Sequence, residues 1–173
     1  MNTKTIYYVE GACEKQLISA LKELPAKLLP GKIRIFNVIQ NTIPKSQLLT
    51  IQPGTNVVFA FDTDVAASDV LKRNIELVKR YCPKVKMVYL VQVLTIEDEL
   101  VRATDVKAAP DLTHSDGLKN FKTDFCKMNV APCRSLLEHH HIDTAVLWTT
   151  AAPAPFDFLT QNSEAIKLKV PAQ

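Results

Sequence analysis

The chain has 173 residues, 47% of them hydrophobic, a mean hydropathy near zero (+0.01) and a formal net charge of +3. That is enough apolar sequence to bury one core and too much for a disordered segment. No apolar run approaches the ~18–20 residues that cross a bilayer, and so small a charge does not by itself identify a nucleic-acid binder.

In chain order, residues 3–9 are β-branched and aromatic and predict a buried strand ending on Glu10. "CEKQLISALKE" (13–23) sets Leu17, Leu21 and Leu24 at helical spacing and is closed by Pro25. "KIRIFNVI" (32–39) is a second strand. Residues 40–54, with Pro44, Pro53 and Gly54, form a connection with room for one helical turn at Lys45–Leu49. "NVVFAFD" (56–62) is the most apolar strand and reads as central in a parallel sheet. A helical pattern follows over 67–81 through Leu71, Ile75 and Val78, then a strand at "KVKMVYLVQV" (84–93) and a helix at "IEDELVRA" (96–103). This alternation predicts an α/β fold: three layers, a mostly parallel central sheet of about four strands, and helices on both faces.

The last third reads as helical at 119–129 and at 132–141, the second with Pro132 in its first turn. "TAVLW" (144–148) suggests a final edge strand. The expected organisation is one domain over 1–150 and a loosely attached tail over 151–173, where prolines are frequent and periodicity is lost. Cys13, Cys82, Cys126 and Cys133 have irregular spacings and no CxxC pair, so they read as reduced thiols. With no secretory h-region at the start, the expected location is cytoplasmic. "EHHH" (138–141) with Cys126 and Cys133 has no usual zinc spacing, since adjacent histidines on a helix point in different directions.

In open α/β sheets, functional groups gather at the carboxyl ends of central strands. Two strands end there on acids, the first on Glu10 and the third on Asp62, with Asp64 two residues on in "FDTD". On an extended segment residues i and i+2 point the same way, so both aspartates face one side. If the two strands are neighbours, Glu10 reaches the same place. Carboxylates so crowded raise one another's pKa unless a cation neutralises them, and an all-oxygen donor set favours Mg²⁺ or Mn²⁺. The plainer reading of each acid is local: Asp64 or Ser68 as a helix cap, Glu14 as a first-turn acid favoured by the helix dipole.

A strand ending in Glu10-Gly11, then a helix, then a strand ending in Asp62-x-Asp64, resembles the Toprim domain of topoisomerases, bacterial-type primases and small nucleases such as the OLD family. The resemblance covers roughly residues 3–95. It implies that Glu10 is the general acid/base, Gly11 the tight turn after it, and Asp62 and Asp64 the metal ligands. The "EGxxE" form, with Glu14 as an additional acid, is closer to the nuclease-like members. Where other members carry a third acid, two residues past the second aspartate, this chain has Ala66. Glu97, just past the fourth strand, is the better replacement; Glu99 is its rival, and the alternative for either is an exposed acid in a helix's first turn.

The resemblance therefore implies a Mg²⁺- or Mn²⁺-dependent nuclease acting on DNA or RNA. Lys15, Lys45, Lys119 and Lys122 are the candidates to meet substrate phosphates, each with a solvated surface as its plainer reading. The alternative is a non-catalytic Toprim-like module in a larger nucleic-acid-processing or defence complex. Small size and the missing third acid point to a partner protein, such as an ATPase, in either case.

Overall fold

Strand residues in this chain send alternate side chains into two different apolar layers, and the sheet between them has almost no wet face. The computed structural model describes residues 4–24 and 27–168. Its strands are β1 (Thr5–Val9), β2 (Lys32–Ile35), β3 (Asn56–Asp62) and β4 (Lys86–Gln92), all parallel, in the order β2-β1-β3-β4. Tyr7, Val9, Val58, Ala60, Val88 and Leu90 enter one layer, with Leu17 and Leu21 of α1 (Ala12–Glu23). Tyr8, Val57, Phe59, Phe61 and Val91 enter the other, with Leu48 of α2 (Lys45–Leu48) and Leu71, Ile75 and Val78 of α3 (Asp69–Tyr81). Burial on both faces explains why β3 reads as a continuous apolar run rather than an alternating one.

The last third is helical, as expected: α4 (Ile96–Ala103), α5 (Ala109–Thr113), α6 (Leu118–Lys127) and α7 (Val130–His139). Leu100, Leu112, Phe121, Phe125 and Leu137 place all four on the α1 side of the sheet. Of these, α5 is a single turn with Pro110 near its start, too short to leave a periodic pattern in the sequence. No helix among the described residues is long and apolar enough to cross a membrane.

Three expectations are corrected. "TAVLW" (144–148) is a run of turns rather than an edge strand: Trp148 has φ +58°, in the left-handed region that a strand cannot pass through. Its indole is fully buried, and its amide donates to Glu99 Oε2 at 3.0 Å. The tail from Ala151 is not loose over residues 151–168. Phe156 is fully buried against Phe61, Ile166 is in the α1-side core, and the Ile166 carbonyl accepts from the Leu29 amide. Asn162 completes the exposed edge of β4 by accepting from the Tyr89 amide at 2.8 Å and donating to the Met87 carbonyl at 2.9 Å. That one side chain does what a fifth strand would do. Residues 169–173 lie outside the described residues.

The third correction concerns the thiols. Cys13 and Cys126 form a disulfide, with Cα atoms 4.8 Å apart, between the first turn of α1 and the end of α6. Their separation of 113 residues left no local spacing to read. Cys82 and Cys133 are free and buried.

If Asn162 is what holds the tail on β4, Asn162→Ala leaves a strand amide and carbonyl unpaired and costs about 1–3 kcal/mol. Urea unfolding checks this; an unchanged midpoint would show that the tail contributes nothing to the sheet edge.

Candidate metal centre

The chain runs from β1 to β2 on one side and then returns past β1 to β3 on the other. The order therefore reverses between β1 and β3, and the loops at their carboxyl ends diverge there, which in open α/β sheets opens a crevice. β1 and β3 are hydrogen-bonded neighbours, with Val9 opposite Ala60. The next residues bring the acids together: the Asp62 amide donates to Glu10 Oε2 at 3.3 Å. A pocket of ≈ 260 Å³ opens at this point, lined by Glu10, Gly11, Cys13, Glu14, Asp62, Glu97 and Lys122, with Ala12, Ile96 and Cys126.

Each wall has a local cause. Gly11 is the N-cap of α1, and its amide donates to Glu14 Oε2 at 2.8 Å, so Glu14 caps the helix from its third position. Only that half of a capping box exists, because glycine has no side chain to return the bond. The same carboxylate is 5% exposed and faces the pocket. Gly11 has φ −150°, an extended backbone that any residue adopts, so it is not the tight turn expected of it. A Cβ there would sit 3.2 Å from Glu14 Oε2, so the glycine makes room for the capping oxygen. Thr95 caps α4 through the Asp98 amide, which sets Glu97 in the first turn, 7% exposed. Lys122 reaches over from α6, with Nζ 3.2 Å from Glu97 Oε1. Among the described residues that ammonium is the one partner this oxygen has, an ion contact rather than a well-aligned hydrogen bond.

Asp62 is the centre of the electrostatics. Its Oδ1 is buried without a hydrogen-bond partner among the described residues. Burial first, then the charges of Glu14, Glu10, Glu97 and Asp64, push its pKa from 3.8 up to about 8. Burial also raises Glu10; the Asp62 amide, an Asn37 side-chain hydrogen bond and the Lys122 charge hold that rise back, while Asp64 adds to it. Glu14 is raised as well, chiefly by burial. Desolvation pulls Lys122 down, but the adjoining Glu97 carboxylate and the charges of Asp62 and Glu14 outweigh it, and the net shift is upward.

Among the sequence candidates, Glu10, Gly11, Glu14, Asp62, Glu97 and Lys122 meet at one pocket. Asp64, Lys15 and Lys119 do not line it, and all three are exposed. Asp64 turns away because Thr63 leaves the strand path: its amide donates to the carbonyls of Gln92 and Leu94, and its hydroxyl accepts from the Leu94 amide. Neither of the α4 acids is the exposed first-turn acid of the plainer reading. Glu99 is fully buried, bound to Arg102 at 2.6 Å and to the Trp148 amide, and serves packing. Lys45 lies elsewhere, 4.8 Å above the Tyr81 ring. Asn37, just past the carboxyl end of β2, does not line the pocket; its side-chain oxygen accepts from the Ile39 and Gln40 amides of its own turn. Sequence reasoning missed Cys13 and Cys126 as pocket residues; they sit beside Glu14 in the chain and one turn past Lys122 on α6.

A divalent cation fits this chemistry. The donors are hard carboxylate oxygens, and the buried Asp62 Oδ1 has no partner. Among the described residues, no three His, Cys, Asp or Glu side chains are already drawn together as a chelating group; the acids ring the pocket instead. No protein-family model, curated protein or solved structure matches the chain.

The raised pKa has a direct consequence for stability. A carboxyl raised from 3.8 to about 8 is favoured protonated in the fold. Its contribution is full below the unfolded value, declines as pH rises, and is gone once pH passes about 8. Without divalent cation, Asp62→Asn is therefore expected to melt higher than wild type above pH 8 and to converge with it near pH 4, measured by thermal unfolding across pH. A difference independent of pH would contradict the burial of this charge.

Proposed function

We propose that the pocket is the active site of a Toprim-type nuclease that hydrolyses phosphodiester bonds with a divalent cation. The observation that carries this reading is Asp62: a half-buried carboxylate at the strand-order reversal, its buried Oδ1 without a partner among the described residues, with three further acids and a lysine around the same pocket. The motif order Glu10-Gly11, then Asp62-x-Asp64, supplies the Toprim part of the proposal.

Asp62 and Glu14 hold the cation, Mg²⁺ or Mn²⁺, with Glu97 on the opposite wall as the third acid that Ala66 does not provide. Bound there, the cation supplies the charge that activates water and steadies the leaving oxygen. Glu10 moves the proton, and its upward-shifted pKa brings it toward the pH at which an acid/base group works best. The Asp62 amide helps fix the orientation of that carboxylate. Lys122, 58% exposed and reaching the rim, exchanges Glu97 for the incoming phosphate. Asp64, Lys15 and Lys119 act from outside the pocket: the aspartate through its charge, the lysines as contacts for the flanking phosphates of DNA or RNA. A cytoplasmic setting and a partner such as an ATPase complete the proposal.

A cation-dependent nuclease assay on single- and double-stranded DNA and RNA tests it. Glu10→Gln is expected to lower kcat by about 10²–10⁴-fold. Asp62→Asn should abolish the response to Mg²⁺ or Mn²⁺, while Lys122→Met acts mainly on KM. Equal rates for wild type, Glu10→Gln and Asp62→Asn would remove the catalytic assignment.

A further inference from the structure

Two cysteines line the same pocket as the acids, and no step of the hydrolysis uses them. Cys13 immediately precedes Glu14 in the first turn of α1, and Cys126 follows Lys122 by one turn of α6. Joined to each other, their sulfurs leave the pocket with oxygen donors alone.

We infer that the Cys13–Cys126 pair is a redox element that sets which cation this pocket takes: the disulfide form is a hard-cation site, and the dithiol form is a site for a thiophilic dication of the zinc class. The inference rests on reading the acid pocket as a cation site, and not on the nuclease chemistry.

The two sulfurs need little movement. A disulfide holds its sulfurs about 2.05 Å apart. Two thiolates on one tetrahedral ion, with bonds of about 2.3 Å, stand about 3.8 Å apart. The difference, under about 2 Å, is within reach of side-chain rotation from Cα atoms 4.8 Å apart. Carboxylates are at hand to complete four donors. Among the described residues, Glu14 uses Oε2 on the Gly11 amide and has Oε1 left, Glu97 has the Lys122 ammonium alone on Oε1, and Asp62 Oδ1 has no partner. Two sulfurs with two carboxylates form the tetrahedral sulfur-and-oxygen set that zinc accepts and that magnesium does not favour. Lys122 at the rim offsets part of the added negative charge.

The chemistry balances by thiol–disulfide exchange. Two exogenous thiols give two electrons and two protons to the Cys13–Cys126 bond and leave as their own disulfide. The protons rest on the Cys13 and Cys126 sulfurs and are released when the dication binds, so binding to the reduced form is proton-coupled. Cys82 and Cys133 do not line the pocket.

Cobalt titration of the full chain tests this, because Co²⁺ substitutes for zinc and reports sulfur ligation by a thiolate-to-cobalt charge-transfer absorption. Protein reduced with a phosphine, which adds no competing thiol, is expected to take up one Co²⁺ with that absorption, and Zn²⁺ should displace it. The oxidised protein should show none. Cys126→Ser should lose the absorption and weaken zinc binding by more than the about 10–100-fold typical of an outer-shell partner, while Cys82→Ala keeps both. Absence of the absorption in reduced wild type, or equal zinc affinity in the oxidised and reduced forms, overturns the inference. Mn²⁺ titration of the oxidised protein separates the two readings. Mn²⁺ binding without any cobalt–thiolate signal sinks only the redox element, and no binding of either metal in either state sinks the cation site itself.

Discussion

The parallel pairing of β1 with β3 is the contact on which the site depends. It joins strands about fifty residues apart in the chain, and both end on an acid at the same level of the sheet. The pairing fixes Glu10 against the Asp62 amide and leaves Asp62 half-buried among like charges. The core stabilises that arrangement from both faces, with Tyr7 and Val58 on one side and Tyr8 and Phe59 on the other. Strand burial thus offsets an electrostatic penalty that the acids would not accept in water, where they would ionise and separate. A proton on Asp62 relieves part of it, and the proposed dication would take that proton's place.

Local pattern carried the sheet and the strand-end acids. Apolar strands bounded by Pro, Gly and acids announce themselves, and the rule placing function at carboxyl ends selected Glu10 and Asp62 with no tertiary knowledge. Asp64 shows where that rule stops. Period-2 reasoning assumes that the strand continues, but Thr63 bonds across to Gln92 and Leu94, and the chain turns before the second aspartate is reached. Glu97 and Glu99 illustrate the same limit from the other side. Two residues apart on one helix, they differ because α6 brings Lys122 to the first while Arg102 and the Trp148 amide claim the second. Nothing in "IEDEL" separates those outcomes.

The disulfide and the tail were illegible for a related reason. Cys13 and Cys126 meet because α6 packs beside α1, and that packing is decided by Phe121 and Phe125 entering the α1-side core. Asn162 reads as an ordinary loop residue until its amide is found completing the edge of β4. In each case a polar or sulfur group acquires its role from an apolar neighbour that positions it. The last third of the chain thereby becomes part of the site: α6 supplies Lys122 and Cys126, and α4 supplies Glu97, to a pocket whose floor comes from β1 and β3.

The central claim is that these acids form a cation site built around a carboxyl that stays protonated until the cation arrives. Calorimetric titration of the oxidised protein with Mg²⁺ or Mn²⁺ at pH 7, repeated in buffers of different ionisation enthalpy, measures both halves of it. With Asp62 at about 8, the account predicts one binding event that releases close to one proton in wild type, and no binding by Asp62→Asn. Binding without proton release, or equal binding by wild type and Asp62→Asn, would contradict it.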